Sequence, residues 1–496
     1  MRLATVITRS ALELRAPEVC VEVHVSEGLP KISIVGLAET TVKESKERVR
    51  AAIQNSGFQF PSDKRITISL APAALRKEGG GFDLAIALGL LAAYGKLGLE
   101  IPNNIEFGGE LALDGSLRPV RGALPMTLAA TRVKHDVVLP LASAPEGALV
   151  NDARVFAAGS LAEVVAHLKD DVLLPRAEPP DAASCTATPD LCDVMGQDAA
   201  RRALEIAAAG GHSLLMTGPP GTGKTMLADR LPGILPRLTE AQALENAALY
   251  SLRGQAPPLS RWRLPPFRAP HHTASNVALV GGGRVALPGE VSLAHHGVLF
   301  LDELPEFNRS ALEVLRQPLQ SGTVSVSRAS GQVEFPARFQ LVCAMNPCHC
   351  GYNGDPDHDC HCSDTSVATY RKKISGPLLD RIDLHVTVPR VAVHVLDECA
   401  PAESSAVVGE RVARAREIQK QRSEINARLP ASELIDVACC DEQSRALLKN
   451  ASERFSMSAR VQHKVLRVAR TVADLAGEAR VGPAHMGEAI GLREND

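Results

Sequence analysis

The run Gly218-Pro219-Pro220-Gly221-Thr222-Gly223-Lys224-Thr225 has the residue types and spacing of a phosphate cradle. The apolar run Ser213-Leu214-Leu215-Met216 before it predicts a short buried strand, and Met226-Leu227-Ala228 after it opens a helix. Glycines let successive backbone N–H groups turn inward on an anion, and the helix start adds its partial positive charge. Lys224 would reach the β/γ oxygens of ATP, and the Thr225 hydroxyl would ligate Mg²⁺. Downstream, Val298-Leu299-Phe300-Leu301-Asp302-Glu303 predicts a buried strand that ends in two carboxylates at the carboxyl edge of a parallel sheet. Asp302 is then placed to hold the Mg²⁺ water shell and Glu303 to act as general base. Together the two motifs predict nucleoside triphosphate hydrolysis.

A second group of reactive side chains lies further on. Cys348, Cys350, Cys360 and Cys362 form CxC-x9-CxC on a turn-rich loop, 346–364, with His349, His358 and His361 nearby. Two such arms can wrap four thiolates around a structural Zn²⁺, with a histidine as possible substitute; reduced thiols or a redox-labile loop are the other readings. The chain carries eleven cysteines, and this crowding points to metal binding in a reducing compartment rather than to a disulfide framework. The paired His271-His272 have no nearby carboxylate or cysteine in sequence, and a packing or loop-positioning role is expected for them.

What positions these groups must be built from 496 residues, too many for one core, so two to four domains are expected. A formal charge of −3 advertises no global basic field, and any nucleic-acid contact must be local. One Trp and four Tyr argue against stacking platforms as the main binding device. No apolar stretch is long enough to span a bilayer and no signal peptide is evident, so a cytoplasmic protein without membrane contact is expected.

Residues 1–174 read as mixed α/β, with strands at Val19–Val25, Lys31–Val35 and Ile66–Leu70 and helices at Thr41–Ser56 and Phe82–Ala93. The segments 28–30, 34–37, 76–85, 107–111 and 115–122 resemble the Lon-protease-type domain of the ribosomal S5 domain 2 superfold. The positions of that family's nucleophilic serine and lysine fall here on Gly81 and Leu124, which can serve neither role, so a scaffold rather than a peptidase is implied. Pro, Ala, Ser and Asp dominate a linker at 175–190, and a second linker runs from Pro389 to about Ala406. Between the ATPase motifs, Leu231–Gly297 is longer than a minimal core needs and contains the glycine triplet 281–283, predicted as a mobile loop tip. Ser310–Gln320 predicts a helix, Thr323–Phe335 a hairpin, and Phe339–Met345 a buried strand ending at Asn346, which can orient the lytic water. The end of the chain is helical, and the basic rows on Val407–Arg428 and Ala459–Ala476 are expected to be solvated faces.

With Ala269-Pro270-His271-His272 and Leu378–His385, these motifs resemble magnesium-chelatase-like AAA+ ATPases of the YifB/ComM type over nearly the whole chain. The resemblance implies an AAA+ core at 191–395 with an open parallel sheet, and a C-terminal helical lid at 396–496. It implies that Leu191–Gln197 covers the adenine, that Asn346 is the sensor residue, and that both insertions point into the channel of a hexameric ring. Arg381 would be an arginine finger for the neighbouring subunit, and Arg460 the second sensor on the γ-phosphate. The implied activity is a DNA helicase driving branch migration in homologous recombination and natural transformation (competence), with DNA in the channel and recombination proteins as partners. A chelatase-like or protein-remodelling ATPase is the alternative.

Overall fold

The computed structural model describes residues 2–36, 39–180, 188–283, 286–328, 331–391 and 402–493. Residues 181–187 of the first predicted linker, 392–401 of the second and the hairpin turn Ala329-Ser330 lie outside the described residues. The first sheet is mixed, built from β1 (Arg2–Arg9), β2 (Glu18–Ser26), β3 (Lys31–Val35), β4 (Arg65–Ala71), β5 (Ile105–Phe107), β6 (Asp136–Pro140) and β7 (Val155–Ala158). Its order is β3-β4-β2-β1-β5-β6-β7. Strand β2 shows why it forms: Val19, Val21, Val23 and Val25 fall on one face and are buried, as a period of two demands. Over the sheet lie α1 (Thr40–Asn55) and α2 (Asp83–Tyr94), the latter apolar on nearly every side because α1 covers the face the strands do not. Gly89 permits that approach, since a Cβ there would sit 2.7 Å from Val23 Cγ2.

The second sheet is parallel throughout. It contains β8 (Leu214–Thr217), β9 (Phe267–Arg268), β10 (Val298–Leu301), β13 (Gln340–Met345) and β14 (Leu384–Thr387), in the order β9-β10-β13-β8-β14. Every residue of β10 and β13 is buried, which is what their uninterrupted apolar runs require of strands covered on both faces. Before β13 stands the hairpin of β11 (Thr323–Arg328) and β12 (Gly331–Pro336), in the register Thr323↔Pro336. The helix expected at 310–320 is broken instead into Arg309–Glu313, a 3₁₀ turn at Val314–Arg316 and Pro318–Ser321, because Pro318 has no N–H to continue the ladder.

Around the sheet pack α4 (Asp198–Gly210), α5 (Lys224–Ile234) and the C-terminal helices α7 (Ser405–Arg422), α8 (Ala459–Ala476) and α9 (Pro483–Gly491). Leu204, Leu231, Val412, Val465, Val468 and Met486 share one core, so the helical end of the chain shares the apolar interior of the parallel sheet. The first sheet's layer reaches the second through α3 (Ala123–Arg132), whose Leu124 is fully buried in a cluster that includes Ala247 and Ala248 of α6 (Glu240–Leu252). Gly81 opens the turn into α2. No helix among the described residues is long and apolar enough to cross a membrane.

The basic rows form the expected solvated faces only in part: Arg414, Lys420 and Arg460 are exposed, and the others turn toward partners within the fold. Arg411 pairs with Glu205 and Glu403, Arg416 donates to the Ala208 carbonyl, Lys464 pairs with Asp383 at 2.7 Å, and Arg467 donates to the Leu429 carbonyl. Arg470 and Asp474 are both buried, 3.0 Å apart, and Arg422 and Asn426 also donate to Asp474. These cations tie helices together and are spent inside the fold. Removing the shared acceptor leaves the Arg470 charge buried and unpaired, so Asp474→Ala is expected to destabilise the helical region by about 3–5 kcal/mol, read as a lowered denaturant midpoint of far-UV ellipticity.

Candidate functional site

The phosphate loop leaves the carboxyl end of β8, between β13 and the edge strand β14, and runs into α5. Gly218 N–H donates to the Met345 carbonyl at 3.2 Å, pinning the loop to the end of β13. Only glycine fits there, because a Cβ would lie 2.2 Å from the Val388 carbonyl oxygen. Gly221 and Gly223 have φ of 78° and 85°, the left-handed region that turns N–H groups inward. Lys224 is buried, and its ammonium donates to the carbonyls of Gly218 (2.7 Å) and Pro219 (2.8 Å) and to Asn346 Oδ1 (3.2 Å). Burial pulls its pKa down to about 8, against the opposing charge of Asp302. Thr225 Oγ1 donates to Asp302 Oδ2 at 2.7 Å, the arrangement in which hydroxyl and carboxylate can share a Mg²⁺ and its water. Thus Thr225, Lys224, Asp302 and Asn346, predicted from three separated segments, converge at one point.

Glu303 stands beside them in the left-handed region, φ 53°, a conformation that costs a glutamate about 1–3 kcal/mol and re-aims its side chain. Its carboxylate meets His272 Nδ1 at 3.2 Å. His272 in turn stacks on His271, ring centroids 4.1 Å apart, and meets the edge of Phe307. His271 is exposed and its Nδ1 meets the Thr273 hydroxyl at 2.8 Å, a contact within its own loop, whereas His272 touches the acid placed to activate water. Sequence spacing carries no signal of this contact, because two short helices and three strands intervene between the two residues.

Four thiols form a separate cluster against the phosphate loop. The Sγ atoms of Cys348, Cys350, Cys360 and Cys362 all lie within 4.8 Å of one another, with Cys348–Cys350 at 3.3 Å, Cys348–Cys360 at 3.7 Å and Cys350–Cys360 at 3.5 Å. A tetrahedral zinc with bonds of about 2.3 Å places its sulfurs roughly 3.8 Å apart, so the donor set fits. The nearby histidines are engaged elsewhere: His349 against Tyr370, His358 on Tyr352 and beside Asp355. Backbone N–H donation from Tyr352 draws Cys350 down to about 6 while Cys360 is driven up to about 12, as expected of thiols that cannot all ionise without a cation. Gly351, φ 90°, packs on the phosphate loop: a Cβ there would be 2.7 Å from Pro220 Cδ. A second cluster, Glu245, His295 and His296, is a poorer ligand set. His295 Nδ1 accepts from the Arg338 N–H at 2.9 Å, which leaves the proton on Nε2, the atom facing Glu245.

Arg381 and Arg460 are not at the phosphate loop of their own chain. Both line a cavity of about 520 Å³ with Ser213, Gln340, Arg428 and Lys464, at the amino ends of β8 and β13. Those ends are separated from the loop by the length of β8, roughly 13 Å at 3.3 Å per residue. Arg460 opens α8 at this edge, away from its own phosphate loop, and Lys464, one turn on, is clamped to Asp383 beneath it. Burial pushes the Asp383 carboxyl up, and the Lys464 ammonium with His212 more than offsets it, so the acid stays well below the usual range. Arg381 donates to the Pro377 carbonyl and to Gln320 Oε1 and pairs with no carboxylate among the described residues. Burial, then the Arg316 and Arg460 charges, hold its pKa below the ordinary value.

A glycine-lined phosphate loop after an inner strand of a parallel sheet in this order, with acid pair and polar strand end beside it, defines a P-loop protein of the AAA+ class. Residues 190–396 match magnesium chelatase subunit ChlI, residues 21–143 match subunit ChlI of Mg-chelatase, and residues 402–493 match the ChlI C-terminal region. The chain belongs to this magnesium-chelatase-like family, in its YifB/ComM branch. It is 46% identical to competence protein ComM of Haemophilus influenzae, over 99% of this chain and 98% of the relative. It is 45% identical to the protein YifB of Escherichia coli, over 100% and 98%. The magnesium-chelatase 38 kDa subunit of Rhodobacter capsulatus is 25% identical, over 59% of this chain and 83% of the relative.

The depressed pKa of Lys224 gives a sign for pH dependence. Bound phosphate stabilises the ammonium, so nucleotide binding takes up a proton where the free lysine has begun to lose it. Affinity for MgADP is expected to fall as pH rises through 8, with proton uptake measured by calorimetry in two buffers of different ionisation enthalpy. Binding without proton uptake between pH 7.5 and 9, about the range where such a group titrates, contradicts this.

Proposed function

We propose that this chain is an ATP-hydrolysing ring motor acting on DNA, and that it promotes branch migration during recombination of incoming DNA in competence. The observation that carries the reading is the division of one hydrolytic site between two edges of the sheet. Lys224, Thr225 and Asp302 hold MgATP with residues 218–223, while Glu303 and Asn346 set the water and His272 positions Glu303. The γ-phosphate of one subunit is met by Arg381 and Arg460 of the next, whose unpaired guanidiniums lie where a neighbour's anion can dock. A single chain then lacks half of its site, and a closed ring, a hexamer by resemblance, completes it.

The reading divides the chain into a Lon-protease-like, ribosomal S5 domain 2-like scaffold at 1–174 without a catalytic dyad, an AAA+ core at 191–395 and a helical lid at 396–496. The hairpin β11–β12 and the segment around Gly281–Gly283 face the channel, where DNA passes. The choice of DNA is supported by likeness along the whole chain to a relative named for competence, whereas the chelatase subunit is matched over a smaller part. Four thiolates hold a structural zinc that braces the phosphate loop through Gly351.

The deciding measurement is ATPase rate without nucleic acid and with single strands, duplex and a four-way junction, with Glu303→Gln as inactive control. Stimulation by DNA is expected; a rate indifferent to every DNA moves the assignment to remodelling of a protein partner. Arg381→Ala is expected to lower hydrolysis about a thousandfold. An equimolar mixture of the Arg381→Ala and Glu303→Gln chains recovers activity, because mixed rings contain interfaces with both groups intact; no recovery means that Arg381 does not act across subunits.

Zinc has its own check. The purified chain is expected to contain stoichiometric zinc by atomic emission, lost in Cys348→Ser with Cys360→Ser, with weakened MgADP binding at the loop it braces.

A further inference from the structure

The long stretch between the two ATPase motifs folds into something the hydrolytic site does not use. Helix α6 turns Ala247 and Ala248 toward the first domain, and Ala243, Asn246 and Tyr250 toward a cavity of about 370 Å³ closed by the proline-rich segment 255–268. That size lies within the ~300–1,000 Å³ typical of small-ligand sites. Asn246 is 8% exposed, yet neither its Nδ2 nor its Oδ1 has a hydrogen-bond partner among the described residues. A buried carboxamide left wholly unpaired requires an explanation, and here it lines an accessible hollow. Trp262 and Phe267 supply flat apolar walls. The charged residues of the lining are all arginines, Arg261, Arg263 and Arg268, with no carboxylate. Arg268 is neutralised by Glu290, and the Arg263 Nε donates to the Leu238 carbonyl, whereas Arg261 is exposed and forms no salt bridge among the described residues, its charge acting on Asp229 only at longer range.

From these features we propose that the cavity is a nucleobase site, distinct from the phosphate loop, that takes an adenine with its phosphate toward Arg261. A primary carboxamide presents one donor beside one acceptor, the complement of the adenine N6–H and N7 edge; guanine offers two acceptors on that edge and satisfies only half of it. An aromatic face for stacking and a cationic rim for phosphate complete the match. The same chemistry is presented by a free adenine nucleotide and by an unstacked base of a single strand. The site stands whether or not the ring acts on DNA.

Trp262 is the only tryptophan of the chain, so its fluorescence reads the cavity directly. The titration uses the full-length Lys224→Ala chain, whose phosphate loop no longer holds nucleotide, with dAMP, dGMP, short oligo(dA) and an abasic oligomer of equal length. Saturable quenching by dAMP, about tenfold tighter than by dGMP, is expected if free nucleotides enter; quenching by oligo(dA) alone, not by the abasic oligomer, assigns the site to a strand base. Asn246→Leu, isosteric and apolar, is expected to abolish the adenine preference. The proposal is overturned if no adenine probe quenches saturably, if the abasic oligomer matches oligo(dA), or if Asn246→Leu retains the preference. The adenine-to-guanine ratio requires no substitution at the cavity, so it decides the matter even if Asn246→Leu fails to fold.

Discussion

The arrangement of this molecule depends on one buried ammonium. Lys224 is held by two carbonyls of its own loop and by the Asn346 side chain, all dipoles standing where an anion's oxygens will stand. Desolvation makes that charge expensive to keep, and the cage keeps it at a depressed pKa instead of leaving it in water. Each cage atom is fixed by a strand end: β8 delivers the loop, β13 delivers Asn346 and accepts from Gly218, and Val388, just beyond β14, crowds Gly218 so closely that no side chain fits. A parallel sheet is the economical way to bring three such ends together, because all its carboxyl termini share one edge.

The opposite edge of the same sheet carries the opposite problem. Arg381, Arg428, Arg460, Lys464 and Arg467 gather there, against two acids in the cavity lining, Glu424 and Asp383, the latter already taken by Lys464. Burial first, and then the like charges of Arg316 and Arg460, hold the Arg381 pKa down. Such a basin costs stability in an isolated chain and gains it when an anion arrives. In the ring we propose, the anion is the neighbour's nucleotide, so assembly and nucleotide binding favour each other.

Local chemistry was legible in the sequence, and placement in three dimensions was not. The phosphate loop, the acid pair, the strand ending at Asn346 and the four cysteines are spelled by residue type and spacing, and the structure brings each group together as its spacing implied. Helix α8 matched its predicted span of Ala459–Ala476, because the motif opens on a serine cap and its apolar period is strong. The position of Arg460 was not legible, because a helix can be read without knowing which edge of the sheet it will meet. The inward-turned members of the basic rows were missed for the same reason: Glu205 and the Ala208 carbonyl lie 206 and 208 residues from their partners, and Asp383 stands just ahead of β14. His272 was missed because its partner Glu303 is a long-range neighbour, joined through strands β9 and β10 that pair only in the folded sheet.

Gly351 shows how the thiol cluster bears on the phosphate loop. Its positive φ and its approach to Pro220 mean that the loop carrying Cys348 and Cys350 can sit against the cradle only with glycine at the contact. Cys348 follows Asn346 by two residues, so whatever fixes the thiols also fixes the carboxamide that holds Lys224. Arg390, just past β14, ties the far end of the cysteine loop to Asp355 at 3.1 Å, so the loop spans from one strand end to another above the cradle. A four-coordinate metal in such a place does no chemistry of its own, since it keeps no open position. In the reading we propose, its effect would be mechanical: it would convert a turn-rich segment with little apolar content into a fixed wall for the site.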